Sequence, residues 1–389
     1  MRVVIAPDSF KGALSAQDVA EAMADGVRRA CANCSVDLVP IADGGEGTVG
    51  CLLAAVGGEI VNVQVHDPLG RLINAHYGVL ANGTTVIEVA AAIGYERVTD
   101  TERDVLRGNS VGVGELIAHA LDAGRTSLVV GLGGSATNDA GIGMLYALGV
   151  RFYDKFGLEL PPTPEACLQL AHVEIQGIHP KLQYSQMRVA CDVFNPLCGP
   201  MGATAVYGPQ KGVTPELVPV LDKALERFAE VVETDLGISI LNVPGAGAAG
   251  GLGGAFFGLL NAKLVQGIDL ILDECAFDTL LSGANVVLTG EGKTNGQTIH
   301  GKAVQGVAMR AKKQGVPVFC LSGAVTREAA GLSDFGVTAM LSITPQPMSL
   351  AEAMDSTREF LVDTVENTMR VFLAGYELGA KAAGTFFTK

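Results

Sequence analysis

The sequence predicts an α/β protein of two domains. One carries a parallel sheet and is built from both chain ends, and the other is inserted between them with a mixed sheet. Three observations predict this. Buried-strand runs alternate with helical patterns from the first residue. From about residue 58 that rhythm gives way to an alternation of apolar and polar residues. After about residue 280 the simple strand–helix alternation returns.

The elements follow in order. "RVVIAP" (2–7) reads as a buried strand. "DSFKGALSAQD" then turns into a helix, where Ser15 with Asp18 three positions on makes a capping box. Val19, Met23, Val27 and Ala30 recur at helical spacing, and Arg28 and Arg29 suit the negative end of the helix dipole. "VDLVPI" (36–41) is the next strand, and "ADGGEGTVGCLLAAVGG" is a Gly-rich loop entering a helix. "EIVNVQVHDPLGRLINAHYGVLANGTTVIEVA" reads as an antiparallel meander with turns at Asp67-Pro68, Leu69-Gly70 and Asn82-Gly83. "TSLVVGLGGSATNDAGIGMLYALG" (126–149) is again strand, Gly loop and helix, the helix expected over 138–148. "MRVACDVFNPLCG", the loop "YGPQKG" and a long helix through Leu217 to Val232 follow. The last part holds a strand at 285–289, a helix to 313, strands "VPVFCLSG" and "VTAMLSI", and a final helix from Ser349. The expected domains are 1–65 with 280–389, and 66–279.

Bulk properties exclude several classes. The 389 residues suffice for two cores, and 48% hydrophobic against 17% charged residues excludes disorder as the main state. The 50 glycines have no collagen period, so they belong to tight turns. A net charge of −14 argues against nucleic acid and anionic membrane as partners. The run 236–262 is uncharged, but Pro244 and its many glycines would leave backbone unsatisfied in lipid, so it reads as a buried loop entering a packed helix. No signal peptide is visible at the start. The 8 cysteines are scattered. "CANC" (31–34) lacks the second pair that a zinc site needs, and free thiols in a reducing cytosol fit better.

The chemistry is expected where strands end, because open α/β sheets bind ligands beyond their carboxyl edges. The strand exits carry Asp8, Ser9, Lys11 and Gly12; Asp43, Gly44, Gly45, Glu46, Gly47 and Thr48; Gly131, Gly133, Gly134, Ser135, Thr137, Asn138 and Asp139; Asp192 and Asn195; Gly290, Glu291, Gly292, Lys293 and Asn295; and Ser322-Gly323. Glycine lets amides approach an anion, lysine brings mobile positive charge, and carboxylates beside phosphate call for a divalent cation between them. Together these are the parts of Mg2+-dependent phosphoryl transfer. Each alone has a plainer reading. "GKT" (292–294) is not a P-loop, since Val287 stands where its first glycine belongs. Gly131-Leu-Gly133-Gly-Ser-Ala136 matches a relaxed dinucleotide pattern but lacks the acidic residue that should follow. Strand-end aspartates commonly cap helices, His300 reads as structural, and the glycines of 245–254 serve equally as packing devices.

"VVIAPDSFKGALSA", "VPIADGGEGTV", "GLGGSATNDAGIGML", "ACDVFNPLCG", "YGPQKG", "VPGAGAAGGLGGA" and "LTGEGKTNGQTIHGKAVQGVA" resemble, in order and along nearly the whole chain, the type I glycerate kinase family. The resemblance implies a flavodoxin-like or Rossmann-like domain and a second α/β domain. It also implies transfer of the ATP γ-phosphoryl group to a hydroxyl of D-glycerate with Mg2+, 2-phosphoglycerate being the favoured product, in the cytoplasm. On that footing Lys11 and Lys293 steady phosphoryl oxygens. The amides of Gly133, Gly134 and Ser135, at the start of the 138–148 helix, cradle a phosphate or carboxylate. Asp192 and Asp43 serve Mg2+ or accept the hydroxyl proton, with Asp8 and Glu291 next. Ser9, Gly44, Gly45, Glu46, Asn138, Asn195, Lys211, Gly290, Gly292 and Asn295 line the substrates. One motif departs: the family reads T-G-E-G-R-x-D-x-Q, and here Lys293 replaces Arg and Asn295 replaces Asp. The first change loses a bidentate fork, and the second loses a charge, so a slower or altered enzyme is expected. An ATP-independent phosphatase or isomerase, and a sugar-acid sensor, are the competing readings. The sequence is silent on oligomeric state, and a homo-oligomer is compatible with it.

Overall fold

The computed structural model describes residues 1–42, 45, 47–299 and 303–386, with 380–386 by backbone alone. The chain divides into two compact units, Met1–Asp43 with Ile271–Lys389, and Gly44–Leu270.

In the unit made from both chain ends, five parallel strands lie in the order Val337–Ser342, Val318–Ser322, Val286–Thr289, Arg2–Ile5 and Ser35–Leu38. Counted along this unit the order is 2-1-3-4-5, the flavodoxin-like one. The central strands are continuous apolar runs because both faces are covered: Val3, Val4, Ile5, Val286, Val287 and Leu288 are all 0% exposed. The helix Ala16–Ala30 starts where expected, with the Ser15 hydroxyl accepting from Asp18 N at 3.1 Å. It packs on the helix Thr357–Phe386. At Gly26 a Cβ would stand 2.6 Å from Val362 O, so only glycine fits. The final helix expected from Ser349 is two helices, Leu350–Asp355 and Thr357–Phe386, the first closed by a Ser349–Glu352 capping box. Cys31 and Cys34, expected as free thiols, form a disulfide at the end of the first helix. The other cysteines are thiols outside any disulfide, as expected.

In the inserted unit, six strands follow one another in chain order: Gly58–His66, Leu72–Leu80, Thr85–Glu88, Ser127–Gly131, Gln186–Ala190 and Lys263–Val265. The first three pair antiparallel, as the meander predicts, and the last four are parallel. The compact units divide at 43/44 and 270/271, beside the expected boundaries of 65/66 and 279/280. The physical reason at the first is that Gly58–His66 pairs along its whole length with Leu72–Leu80. The uncharged run ends in the short helix Leu252–Gly258. Among the described residues no helix is long and apolar enough to cross a membrane.

Candidate functional site

In the 2-1-3-4-5 sheet the switch point lies between Arg2–Ile5 and Val286–Thr289, and their exits meet there. Thr289 Oγ1 donates to Ala6 O at 2.7 Å, and Asp8 N donates to Gly290 O at 2.9 Å. Phe10 is buried and pins a tight turn, in which Phe10 N donates to Leu14 O and Gly12 takes φ 82°. That turn leaves Lys11 exposed. Gly292 packs under it, where a Cβ would be 3.5 Å from Lys11 N, and the next residue, Lys293, is exposed. Asp8 turns its carboxylate onto Ser9 N at 2.6 Å. Gly290 is required by close approach, because a Cβ would collide with Leu321 O. This unit therefore gathers Asp8, Ser9, Lys11, Gly290, Glu291, Gly292 and Lys293 at one sheet edge.

Glu291 is 9% exposed, and its Oε1 accepts from Thr298 Oγ1 at 2.6 Å and Thr294 Oγ1 at 3.1 Å. Thr294 also bonds Ser322 Oγ at 2.7 Å. Glu291 thus holds the loop's shape from inside, where the sequence expected it beside substrate. Lys293 and Thr294 form a short parallel ladder with Ala324 and Val325, which fixes the loop's direction. Asn295 Oδ1 accepts from Gln297 N at 2.8 Å. This is an Asx turn, which an aspartate would make equally well.

The inserted unit has a strand exit of its own, that of Ser127–Gly131. The amides of Gly133, Gly134 and Ser135 do not begin a helix. The helix expected over 138–148 runs only Ile142–Ala147. The reason is a competing set of long-range bonds. Ser135 bridges to Gly94, Tyr95 N donates to Gly134 O at 3.1 Å, and Ala136 N donates to Ile93 O at 2.8 Å. Asp139, fully buried, turns inward to accept from Ser110 N and Oγ, Gly141 N and Gly143 N. Burial pushes its carboxyl up, and these bonds oppose the push. Lys211 is 2% exposed, and its Nζ donates to Ser135 Oγ at 3.0 Å and Thr137 O at 2.6 Å. Burial pushes this ammonium down to about 7, with the Asp139 charge pulling the other way. Asn138 donates to Thr204 Oγ1 at 3.0 Å. Gly250 and Gly251 take φ 70° and 98°, and a Cβ on either would run into the backbone of 137–140. The glycine run is therefore a packing device under this loop.

Asp192 ends its strand exposed, with Oδ1 accepting from Gly267 N at 2.8 Å. Asn195 donates to Met201 O and accepts from Tyr207 Oη, both at 2.7 Å, so it braces its own loop rather than facing outward. Gly45 O accepts from Thr48 Oγ1 at 2.7 Å, while Asp43, Gly44, Glu46 and His300 lie outside the described residues. Two residues of this region escaped the sequence reading. Arg103 stacks its guanidinium 5.5 Å over the Tyr95 ring centre and reaches Gln210 O at 3.4 Å. Nothing in "TDTERDVLRG" signals that contact.

A family model described as "Glycerate kinase family" matches residues 3–373. The chain is 43% identical over 379 residues to the glycerate kinase of Bacillus subtilis (strain 168), covering 97% of this chain and 98% of that protein. It is 40% identical over 385 residues to the glycerate 2-kinase of Escherichia coli (strain K12), covering 99% and 100%. A solved structure from Salmonella typhimurium LT2, described provisionally as glycerate kinase 2, aligns with a TM-score of 0.87 at 41% identity over 97% of this chain and 100% of that one.

Proposed function

The chain belongs to the glycerate kinase family, and from that membership we propose that it transfers the γ-phosphoryl group of ATP to the 2-hydroxyl of D-glycerate. The products are 2-phosphoglycerate and ADP. The observation that carries this is the match over residues 3–373, which reaches into every strand of the five-stranded and six-stranded sheets. The E. coli relative's name, glycerate 2-kinase, supports the position of transfer.

Phosphoryl transfer asks a protein for positioning and charge neutralisation more than for covalent chemistry. Lys11 and Lys293, exposed on neighbouring exits at a sheet switch point, suit phosphoryl oxygens. The amides of Gly133 and Gly134 suit a second anionic group. Asp192, an exposed carboxylate, suits the role of accepting the hydroxyl proton. Among the described residues no three His, Cys, Asp or Glu side chains cluster to hold a metal. A kinase Mg2+ needs only one or two carboxylates beside phosphate oxygens and water. The hard oxygen donors of Asp192 fit that need, and the ion would neutralise phosphate charge. The reading places the enzyme in the cytoplasm, where ATP is available.

The test is ADP release coupled to NADH oxidation, with D-glycerate, ATP and MgCl2 each omitted in turn, followed by phosphorus NMR of the product. ADP release that needs all three and a 2-phosphoglycerate signal are expected. Turnover without nucleotide, or a 3-phosphoglycerate signal, would overturn the corresponding part.

A further inference from the structure

Four buried polar atoms without a partner fall in one neighbourhood of the inserted unit: Tyr95 Oη, Arg103 Nε, Thr137 Oγ1 and Asn138 Oδ1. Thr137 and Asn138 are 1% and 2% exposed. The neighbourhood is continuous. Tyr95 N holds Gly134 O, Arg103 covers the Tyr95 ring and bonds Gln210 O, and the next residue, Lys211, reaches Ser135 and Thr137. Buried groups are normally satisfied, and a cluster of exceptions calls for a missing partner.

Arg103 shows what that partner is. Both bonds its guanidinium makes run through Nη1, to Gln210 O at 3.4 Å and Asp100 Oδ1 at 2.8 Å. A guanidinium grips a carboxylate with two parallel N–H donors, and the Nε edge is unused. Asp100 is 87% exposed, so its hold is a weak surface pair. The nearby Lys211 side chain bonds only a hydroxyl and a carbonyl.

We propose that Arg103 recognises the carboxylate of the acid substrate through its Nε edge, while Asp100 stays on Nη1 and Tyr95, Thr137 and Asn138 meet the substrate's hydroxyl side. The proposal rests on the glycerate reading above and assigns the group that makes an acid, rather than a neutral polyol, the substrate. Arg103 is then a specificity-determining residue.

The test uses the full chain. Calorimetric titration of D-glycerate is compared for wild type, Arg103→Met and Arg103→Lys, together with KM for D-glycerate, for its neutral amide and for ATP. Circular dichroism melts check folding. Arg103→Met is expected to weaken D-glycerate binding at least tenfold and to collapse the preference for acid over amide by a similar factor, with KM for ATP within about twofold. Arg103→Lys keeps the charge and the ring contact but lacks the fork, so it recovers little, and it serves where the Met variant fails to fold. Unchanged D-glycerate affinity and unchanged acid preference in folded variants would overturn the proposal while leaving the kinase reading intact. Arg103-dependent D-glycerate binding without any ADP release would support the subsite and sink the kinase reading instead.

Discussion

Lys211 Nζ lies 2.6 Å from Thr137 O, so a lysine with 2% exposure clamps the loop that carries Gly133 and Gly134. Its ammonium is pushed down to about 7 from 10.5 by burial. Between those values the unfolded chain binds the proton and the folded chain does not, so this group makes stability rise with pH across that window. Lys211→Met lacks the term. Thermal melts at pH 6.5, 8 and 9.5 should show wild type gaining on the variant at each step, and a constant difference would refute the assignment. Turnover of the variant should fall about a hundredfold, the scale for a displaced catalytic loop.

Asn295 supplies an Asx turn through Oδ1 to Gln297 N. Asn295→Asp should therefore keep both kcat and melting temperature nearly unchanged, within about threefold in rate. Asn295→Ala removes the turn and should destabilise the loop by about 1 kcal/mol, the worth of one such hydrogen bond. A large loss in the Asp variant would show that the amide itself touches a ligand.

Two left-handed glycines separate backbone freedom from close packing. Gly237 has φ 69° and nothing within 4 Å of a built Cβ. Gly237→Ala should cost only about 1 kcal/mol. Gly250 has φ 70° and would drive a Cβ into Thr137 O. Gly250→Ala should cost several times more, roughly 3 kcal/mol or above, and should lower turnover by shifting 137–138. Urea unfolding midpoints with unchanged slopes read the first effect, and steady-state rates read the second.

Lys11 is exposed, and Asp192 is an exposed carboxylate at its strand's end. Lys11→Ala and Asp192→Asn should each reduce kcat by two orders of magnitude or more, in the range of lost charge stabilisation at a transferring phosphoryl group. Melting temperatures should move by only a few degrees. A variant with near-wild-type kcat removes that residue from the mechanism.

The strand–glycine–helix alternation, the Ser15 cap and the antiparallel meander were legible because each is written at short range, in apolar period and turn residues. The glycine and charged exits were legible for the same reason, and the family was legible as a resemblance of long motifs. The segment 135–141 was not: its local pattern favours a helix, but Ser135 pairs with Gly94, and Asp139 folds in towards Ser110. Nor could the sequence say that Glu291 and Lys211 turn inward, that Cys31 and Cys34 pair, or that Arg103 lies over Tyr95. The sequence by itself determined which chemical groups stand at the ends of which strands. Only the tertiary structure decided which of them stay exposed and which turn inward to hold the loops, because burying a polar group depends on partners that the chain delivers from far away.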